Sequence, residues 1–320
     1  MRLILRTLIA ALSFSVVLPA LGQDYPNRPV KVIVPYPAGG GLDMMCRTIL
    51  EKVGGALGQP FVVENRGGGS GTIGATAVAQ SAPDGYTIMC GNNSELTLSP
   101  LVIKGLPYDP ERDFAPLTMA VRQTVVLVGH PSLPAADARA LIELTRKSPL
   151  TYGHTGVGGT IHIAMEQFSA DAKAPFVHVP YKGAAALVTD VLGGHVSLTP
   201  LNLAPLIQHI REKKLKPFAV FQPERHPTLP DVPTAKEVIG VDVVSHSWFG
   251  FTAPAKVPAE IRARLDREIR RALADPAVRA KLTAVHMEVV GMPADEFAEY
   301  QRKERAYFAT LVRRFDYKAE

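Results

Sequence analysis

The chain contains few cysteines: Cys46 and Cys90 are the only two among its 320 residues. Two cysteines are too few for a zinc framework built on this residue type. An exported protein could join them in one disulfide, and two buried free thiols are an equally acceptable interpretation. The nine histidines show no His-x-x-x-His spacing, which is a common arrangement of metal ligands on a helix. We therefore predict neither a metal nor a cofactor.

The sequence also lacks a concentrated basic face. Its formal net charge of +5 is spread thinly, and the densest basic runs, 211–216 and 262–271, are typical of solvated helix faces. A nucleic-acid-binding protein usually carries one basic face with aromatic partners, so we predict no nucleic-acid partner. Beyond the N-terminus, no stretch is long and apolar enough to span a bilayer.

The N-terminus has the pattern of a secretory signal peptide. Arg2 and Arg6 precede an uncharged apolar stretch, and Ala20-Leu21-Gly22 has the small-x-small form of a cleavage site. A membrane anchor is the alternative, but the stretch is short for a span and Pro19 interrupts it. We predict a signal peptide at residues 1–22, cleavage after Gly22 and a periplasmic mature protein that begins at Gln23.

Strands and helices alternate in the rest of the chain. The β-rich run 30–35 leads through a glycine-rich loop into an amphipathic helix at 42–57. The same pattern of strand, glycine-rich loop and helix begins again near Val125. This pattern predicts an α/β fold of two lobes, each a mostly parallel sheet flanked by helices. We expect residues 23–122 and 248–320 to form lobe 1 and residues 123–247 to form lobe 2.

The loop before the first helix is the first candidate site. Tyr36, Ala38, Gly39 and Gly40 follow a strand, and glycines let the backbone expose its N–H groups to a ligand. The helix N-terminus behind them favours an anion such as a carboxylate. A plain tight turn is the alternative interpretation, and Asp43 either belongs to the site or caps the helix.

The second lobe has a counterpart to this loop at Thr155–Thr160. Because ligands of parallel sheets bind at the carboxyl ends of the strands, two such loops are expected to face each other across a cleft. The second loop contributes Thr155, Gly156, Gly158, Gly159 and Thr160 to the predicted ligand-binding set. The rest of that set is Asn92, Ser94, Tyr181, Gly183 and Asn202.

Two enzyme motifs are present only in fragments. Gly69-x-Gly71-x-x-Gly74 matches a dinucleotide fingerprint, but the next strand ends without the acid that holds the ribose. A nucleophile elbow around Ser70 would need glycine where Thr72 stands. We therefore predict that the chain is not an enzyme, and an exported hydrolase remains a less favoured alternative.

Several blocks of the sequence resemble a known family. They are Ile33-Val34-Pro35-Tyr36-Pro37-Ala38-Gly39-Gly40 with Asp43, Val63-Glu64-Asn65-Arg66, Pro83-Asp84-Gly85-Tyr86-Thr87, His178-Val179-Pro180-Tyr181-Lys182-Gly183 and Leu229-Pro230-Asp231-Val232-Pro233-Thr234. In order and over nearly the whole chain, they resemble the substrate-binding proteins of tripartite tricarboxylate transporters, the Bug family.

The resemblance implies a periplasmic binding protein with a Venus-flytrap fold of the type II-like class. It implies a small carboxylic acid as ligand, held mainly by backbone N–H groups, hydroxyls and water, because the ligands of the family are di- and tricarboxylates, amino acids and aromatic acids. Of these, we expect a di- or tricarboxylate or an aromatic acid. The implied partners are the membrane components of a tripartite transporter, or alternatively a signalling receptor, and a monomer is expected.

Members of the family often have an acidic residue after a strand of lobe 2. This chain has Pro200 and Leu201 at that place instead. Gly67-Gly68 and Gly159 are further departures, in place of Pro-Gly and a serine. The hypothesis that follows from the missing acid is a ligand without an ammonium group, which means a plain mono- or dicarboxylate rather than an amino acid.

Overall fold

The computed structural model describes residues 25–157 and 159–315. The predicted signal peptide, its cleavage after Gly22 and the predicted ligand-binding Gly158 lie outside the described residues. Within the described ranges, no helix combines the length and the apolar character that a membrane crossing requires.

Strands and helices alternate through most of the described chain. In chain order, the strands are β1 Val30–Val34, β2 Phe61–Asn65, β3 Thr87–Asn92, β4 Phe114–Gly129, β5 Leu150–His154, β6 Phe176–Pro180, β7 Leu198–Asn202, β8 Lys216–Val220, β9 His246–Pro254 and β10 Glu288–Met292. The α-helices are α1 Gly41–Leu57, α2 Thr72–Ala79, α3 Ser99–Val102, α4 Pro110–Asp113, α5 Ala138–Lys147, α6 Thr160–Ala172, α7 Ala184–Leu192, α8 Ile207–Arg211, α9 Ala235–Ile239, α10 Ala259–Ala274, α11 Pro276–Ala284 and α12 Ala294–Arg314. A short 3-10 turn at Gly69–Gly71 and a π-helical turn at Ser94–Leu98 complete the set.

The sheet confirms the predicted α/β fold class. β1 pairs in parallel with β2 and β3, and β5 pairs in parallel with β6 and β7. Each of these parallel groups places a helix directly after its central strand, α1 after β1 and α6 after β5. The sheets are mixed rather than purely parallel, because β4 and β9 run antiparallel to their neighbours.

The long strand β4 joins the two parallel groups. It pairs with β9 and β10 near one end and with β7 and β8 near the other. Within the β4–β9 pair, Arg122 lies opposite Trp248 and Gln123 lies opposite Ser247. The two boundaries predicted for the lobes therefore fall at one place in the fold, where these strands cross. This supports the division into lobes, which stays a prediction.

Separate apolar cores stabilise the two groups of elements. Val32, Met45 and Ile269 belong to a core built on β1, α1 and α10, and Tyr152 and Phe168 belong to one built on β5 and α6. Burial of each large apolar side chain contributes about 1.5–3 kcal/mol. Each half therefore has an apolar core of its own, which supports the predicted division into lobes.

The C-terminal helix contacts both halves. Phe308 and Leu311 of α12 share a buried cluster with Leu98 of the first half and Ile163 of the second. The Tyr307 hydroxyl donates to Gln167 Oε1 of α6 at 3.0 Å. The sequence predicted that this tail packs on lobe 1, and the structure adds the contact with lobe 2.

The structure shows the state of the two cysteines and the position of the single tryptophan. Cys46 and Cys90 are buried free thiols in the first core. Trp248 is fully buried and packs edge-on against Phe297, with ring centroids 4.8 Å apart. Its indole N–H donates to Glu304 at 2.9 Å, so the single tryptophan is a core residue.

Candidate functional site

The two predicted glycine loops each end at a helix N-terminus. Gly40 precedes α1 and Gly159 precedes α6, and neither helix receives a side-chain capping hydrogen bond. The first amides of an α-helix have no partner within the helix, and the helix dipole adds a partial positive charge there. Each loop therefore offers N–H donors that suit an anion.

Asp43 lies behind the first loop rather than at its surface. Only 5% of the residue is exposed, and its carboxylate accepts hydrogen bonds from the Gly39 N–H and from the side chains of Asn65 and Arg47, each at 3.0 Å. Burial raises the pKa of Asp43, but these hydrogen bonds outweigh burial and the net pKa is lowered. Asp43 therefore fixes the loop, in which Gly39 adopts the left-handed conformation with φ +82°.

A polar cluster lies beside this loop. The Tyr36 hydroxyl is 3.3 Å from Asn92 Oδ1 and donates to Glu95 Oε2 at 3.0 Å. Asn92 Oδ1 also accepts the Ser94 N–H at 2.7 Å, and Glu95 Oε1 accepts the Asn92 N–H at 2.6 Å. The structure thus brings together three of the predicted site residues, Tyr36, Asn92 and Ser94, around a fourth residue that the sequence analysis missed.

Glu95 is that missed residue. It is fully buried, and burial raises its pKa to about 8. Burial, followed by the nearby Glu95 carboxyl, also raises the pKa of Tyr36. The sequence signal was a lone acid between Ser94 and Leu96, directly after a buried strand. At neutral pH, Glu95 therefore retains its proton and adds little negative charge to the cleft.

Two serines of the first half, Ser70 and Ser94, contact the second glycine loop. Ser70, which follows β2 in the first half, donates from Oγ to the carbonyl of Val157 in the second half at 3.3 Å. A Cβ added to Gly156 would lie 2.9 Å from Ser70 Oγ, and one added to Gly159 would lie 3.7 Å from Ser94 Oγ. Ser70 and Ser94 of the first half thus lie at contact distance from the second glycine loop, which is a closed arrangement of the two halves at this point.

Polar side chains of the crossing strands lie next to the α1 N-terminus. Gln123 is 4% exposed, and its Nε2 has no hydrogen-bond partner among the described residues. This nitrogen is 3.9 Å from the position of a Cβ added to Gly41. Asn202 donates to Ser247 Oγ at 3.5 Å, whereas its buried Oδ1 has no hydrogen-bond partner in the part of the chain that the structure describes. Buried amides of this kind can hydrogen-bond a bound molecule.

Sequence reasoning included Asn202 but missed Gln123. The signal was present, since Arg122, Gln123 and Thr124 interrupt an otherwise apolar run. A strand buried on both faces would carry apolar residues there. The polar interruption marks the place where β4 passes from one half to the other.

Other predicted site residues are placed differently. Tyr181 donates its hydroxyl to Asp190 at 2.6 Å, within the second half. Gly183 precedes α7 with an extended backbone, and a Cβ added there meets no atom within 4 Å. Ala38 is exposed at the tip of the first loop, whereas Thr160 is buried as the first residue of α6. Thr155 is partly exposed in the second loop.

Three histidines converge beside the second loop. One ring nitrogen from each of His154, His162 and His178 lies within 4.8 Å of the other two. Burial lowers the pKa of His154 to about 4, and it lowers the pKa of His162 further. The sequence analysis found no metal motif because the three residues do not have a ligand spacing in the chain. The pairing of β5 with β6 brings His154 and His178 together, and α6 places His162 against both.

A surface depression of about 550 Å³ lies elsewhere, toward the carboxyl end of α1. Its walls include Glu51, Gln59 and Phe61, and none of the predicted ligand-binding residues lines it. It offers neither a helix N-terminus nor a cluster of buried donors. The cleft between the glycine loops is therefore the better candidate site.

Comparison with known proteins gives a consistent result. A family model described as "Tripartite tricarboxylate transporter family receptor" matches residues 45–316. BugT of Bordetella pertussis is 33% identical over 298 residues, which cover 92% of this chain and 91% of BugT.

Solved structures with the same fold include two that contain small acids. Rpa4515 of R. palustris, solved with adipate, is 32% identical with a TM-score of 0.84, and the match covers 90% of this chain and 97% of that one. MatC of Rhodopseudomonas palustris, solved with bound malate, is 28% identical with a TM-score of 0.83, and the match covers 90% of this chain and all of that one.

Proposed function

Since the chain belongs to the tripartite tricarboxylate transporter receptor family, we propose that it captures a small carboxylate between its two lobes and delivers it to the membrane components of such a transporter. Receptors of this family are periplasmic solute-binding proteins, not enzymes. The proposal places the mature chain in the periplasm after removal of residues 1–22.

One observation carries the proposal. The N-termini of α1 and α6 belong to different halves of the molecule, and both are preceded by glycine with no side-chain cap. Backbone N–H groups at two helix starts can share one anion only when the halves close on it. The Ser70–Val157 hydrogen bond supports such a closed state, and the adipate and malate in related structures are anions of the required class.

The charges around the cleft favour a ligand without an ammonium group. The Asp43 carboxylate forms an ion pair with Arg47 and accepts a hydrogen bond from the Gly39 N–H. Glu95 holds its proton at neutral pH because burial raises its pKa to about 8. Neither carboxyl group is therefore available as a counter-charge for an amino acid, which supports a mono- or dicarboxylate as ligand.

A thermal-unfolding screen tests this function. The protein is unfolded and refolded to remove any co-purified ligand, and its Tm is then measured with aliphatic dicarboxylates, aromatic acids and amino acids. A ligand at a thousand times its Kd stabilises the folded state by about 4 kcal/mol, which corresponds to a shift of several degrees. We expect adipate- or malate-like acids to raise Tm and the matching amino acids to leave it unchanged. A shift with amino acids alone would contradict the proposed ligand class.

Two matched glutamine variants test the location of the site. Gln123 and Gln301 both have a buried Nε2 without a partner, but Gln301 lies on α12 and Gln123 lies beside the α1 N-terminus. We expect Gln123→Leu to weaken binding of the best carboxylate at least about tenfold, which is about 1.4 kcal/mol. Gln301→Leu is expected to bind as the wild type does. Equal calorimetric affinities for the two variants would remove Gln123 from the site.

A further inference from the structure

Three imidazoles from three successive elements of the second half converge on one point. His154 ends β5, His162 lies in the first turn of α6, and His178 lies in the middle of β6. His154 and His162 are buried, whereas His178 is exposed. A cluster of this kind has two ligands that are buried in the core and one that an ion can reach from solvent.

The spacing of the nitrogens suits a tetrahedral metal. His154 Nε2 and His178 Nδ1 are 3.3 Å apart. Two nitrogens that bind one zinc ion at 2.0–2.1 Å with tetrahedral angles lie about 3.3 Å apart. The 154–178 pair already has this separation, and the third nitrogen lies within 4.8 Å of both.

Ring rotation would complete the arrangement. The rings of His154 and His162 are stacked, with centroids 4.0 Å apart and planes inclined by 10°, so their lone pairs run side by side rather than converging. A rotation of one ring about its Cβ–Cγ bond would turn the lone pair toward the other two nitrogens. The exposed His178 ring can adjust at little cost, because it is less constrained by packing.

Neighbouring oxygen atoms contact the rings of His154 and His162 in the way that second ring nitrogens of metal-binding histidines are contacted. His154 Nδ1 lies 2.9 Å from the Gly156 carbonyl, to which it donates, and this leaves Nε2 with a lone pair. His162 Nε2 is 3.7 Å from the Glu166 carboxylate, which also accepts the Tyr152 hydroxyl at 2.5 Å. Histidines that bind metals typically donate a hydrogen bond from the second ring nitrogen to a carbonyl or carboxylate oxygen, as His154 does to Gly156.

We propose that His154, His162 and His178 together bind one divalent transition-metal ion, with zinc as the representative ion. Imidazole nitrogens suit zinc and its neighbours rather than magnesium or calcium. The bound ion would connect the residue before the second glycine loop to the helix after it. Both ends of the 155–160 loop are then fixed to β6, independently of any ligand in the cleft.

A zinc titration tests this site. The protein, purified without a histidine tag and treated with a chelator, is titrated with Zn²⁺ in a calorimeter, and Co²⁺ binding is followed by visible absorption. We expect one zinc per chain and the absorption of a tetrahedral cobalt site. His178→Gln is expected to weaken zinc binding at least about tenfold, because it removes the exposed ligand.

A second exposed histidine of the same lobe provides the control. His195 lies outside the cluster, and His195→Gln is expected to bind zinc as the wild type does. His162→Gln should also lose zinc, and circular dichroism checks that each variant is folded. Less than one zinc per wild-type chain, or equal affinities for His178→Gln and His195→Gln, would overturn the proposal.

Discussion

At the residue scale, two buried carboxyl groups beside the cleft have pKa values shifted in opposite directions. Asp43 is surrounded by donors from Gly39, Asn65 and Arg47, so its pKa falls. Glu95 is fully buried, and burial outweighs the hydrogen bonds that it accepts from Asn92 and Tyr36, so its pKa rises to about 8. One carboxylate organises a loop as an anion, and the other is stable under the cleft only as a neutral acid.

Glu95 should make the stability of the protein fall as pH rises. Its pKa is near its ordinary value of 4.5 in the unfolded chain and about 8 in the folded chain. Between these values the folded state binds more protons, so the stabilisation is complete below about pH 4.5 and is lost as pH rises toward 8. One pKa unit corresponds to about 1.4 kcal/mol.

The substitution Glu95→Gln removes this titration and keeps the shape of the side chain. We expect the wild type to lose about 2–4 kcal/mol relative to Glu95→Gln between pH 5 and pH 8, measured as the free energy of unfolding in urea. The exposed Glu260→Gln serves as the control. Parallel pH profiles for the wild type and Glu95→Gln would show that Glu95 is ionised in the folded protein.

Single residues were predictable from the sequence where they follow a strand directly. Tyr36 and Asn92 were predicted as site residues because parallel strands place their carboxyl ends at one edge, and the structure places the Tyr36 hydroxyl 3.3 Å from Asn92 Oδ1. Glu95 and the histidine cluster were missed, because their surroundings come from residues distant in the chain. Asp43 was found as a site candidate, but only the structure shows that its oxygens are occupied within the first half.

At the element scale, the glycine loops and the helices after them agree closely with expectation. The sequence predicted a helix over 42–57, and α1 spans Gly41–Leu57. In contrast, the strand expected near Val125 is only the end of β4, which begins at Phe114. Periodicity failed there because Arg122, Gln123 and Thr124 are polar where the strand crosses between the halves.

The contact between Ser70 and the second glycine loop predicts that the substitution Gly156→Ala weakens ligand binding. In Gly156→Ala the new methyl group would lie 2.9 Å from Ser70 Oγ. The serine hydroxyl must then rotate and lose its hydrogen bond to Val157. A hydrogen bond contributes about 0.5–1.5 kcal/mol, so we expect carboxylate affinity to fall roughly two- to tenfold.

The control for this variant is Gly55→Ala. Gly55 lies within α1, and an added Cβ meets no atom within 4 Å, so alanine should leave the affinity unchanged. Calorimetric titration of both variants with the same dicarboxylate makes the comparison. If Gly156→Ala bound as tightly as Gly55→Ala, the closed contact between Ser70 and the second loop would not contribute to binding.

At the scale of the whole molecule, the described strands β4 and β9 run between the two halves, and α12 packs against both. β4 and β9 cross side by side at Gln123 and Ser247, and α12 contacts both cores through Phe308 and Leu311. Two antiparallel strands can bend together at one point, which is the geometry of a hinge. Gln123 at this point lies beside the α1 N-terminus, 3.9 Å from the position of a Cβ added to Gly41, so a residue of the crossing strands is close to the proposed ligand site.

The crystal structure of the protein with the dicarboxylate that gives the largest Tm shift tests the central claim most directly. The account predicts that the ligand lies between the halves, with its carboxylate oxygens within hydrogen-bonding distance of backbone N–H groups at the starts of both α1 and α6. Gln123 Nε2 should donate to the same ligand. A dicarboxylate bound outside the cleft, or held by the N–H groups of one half alone, would contradict it.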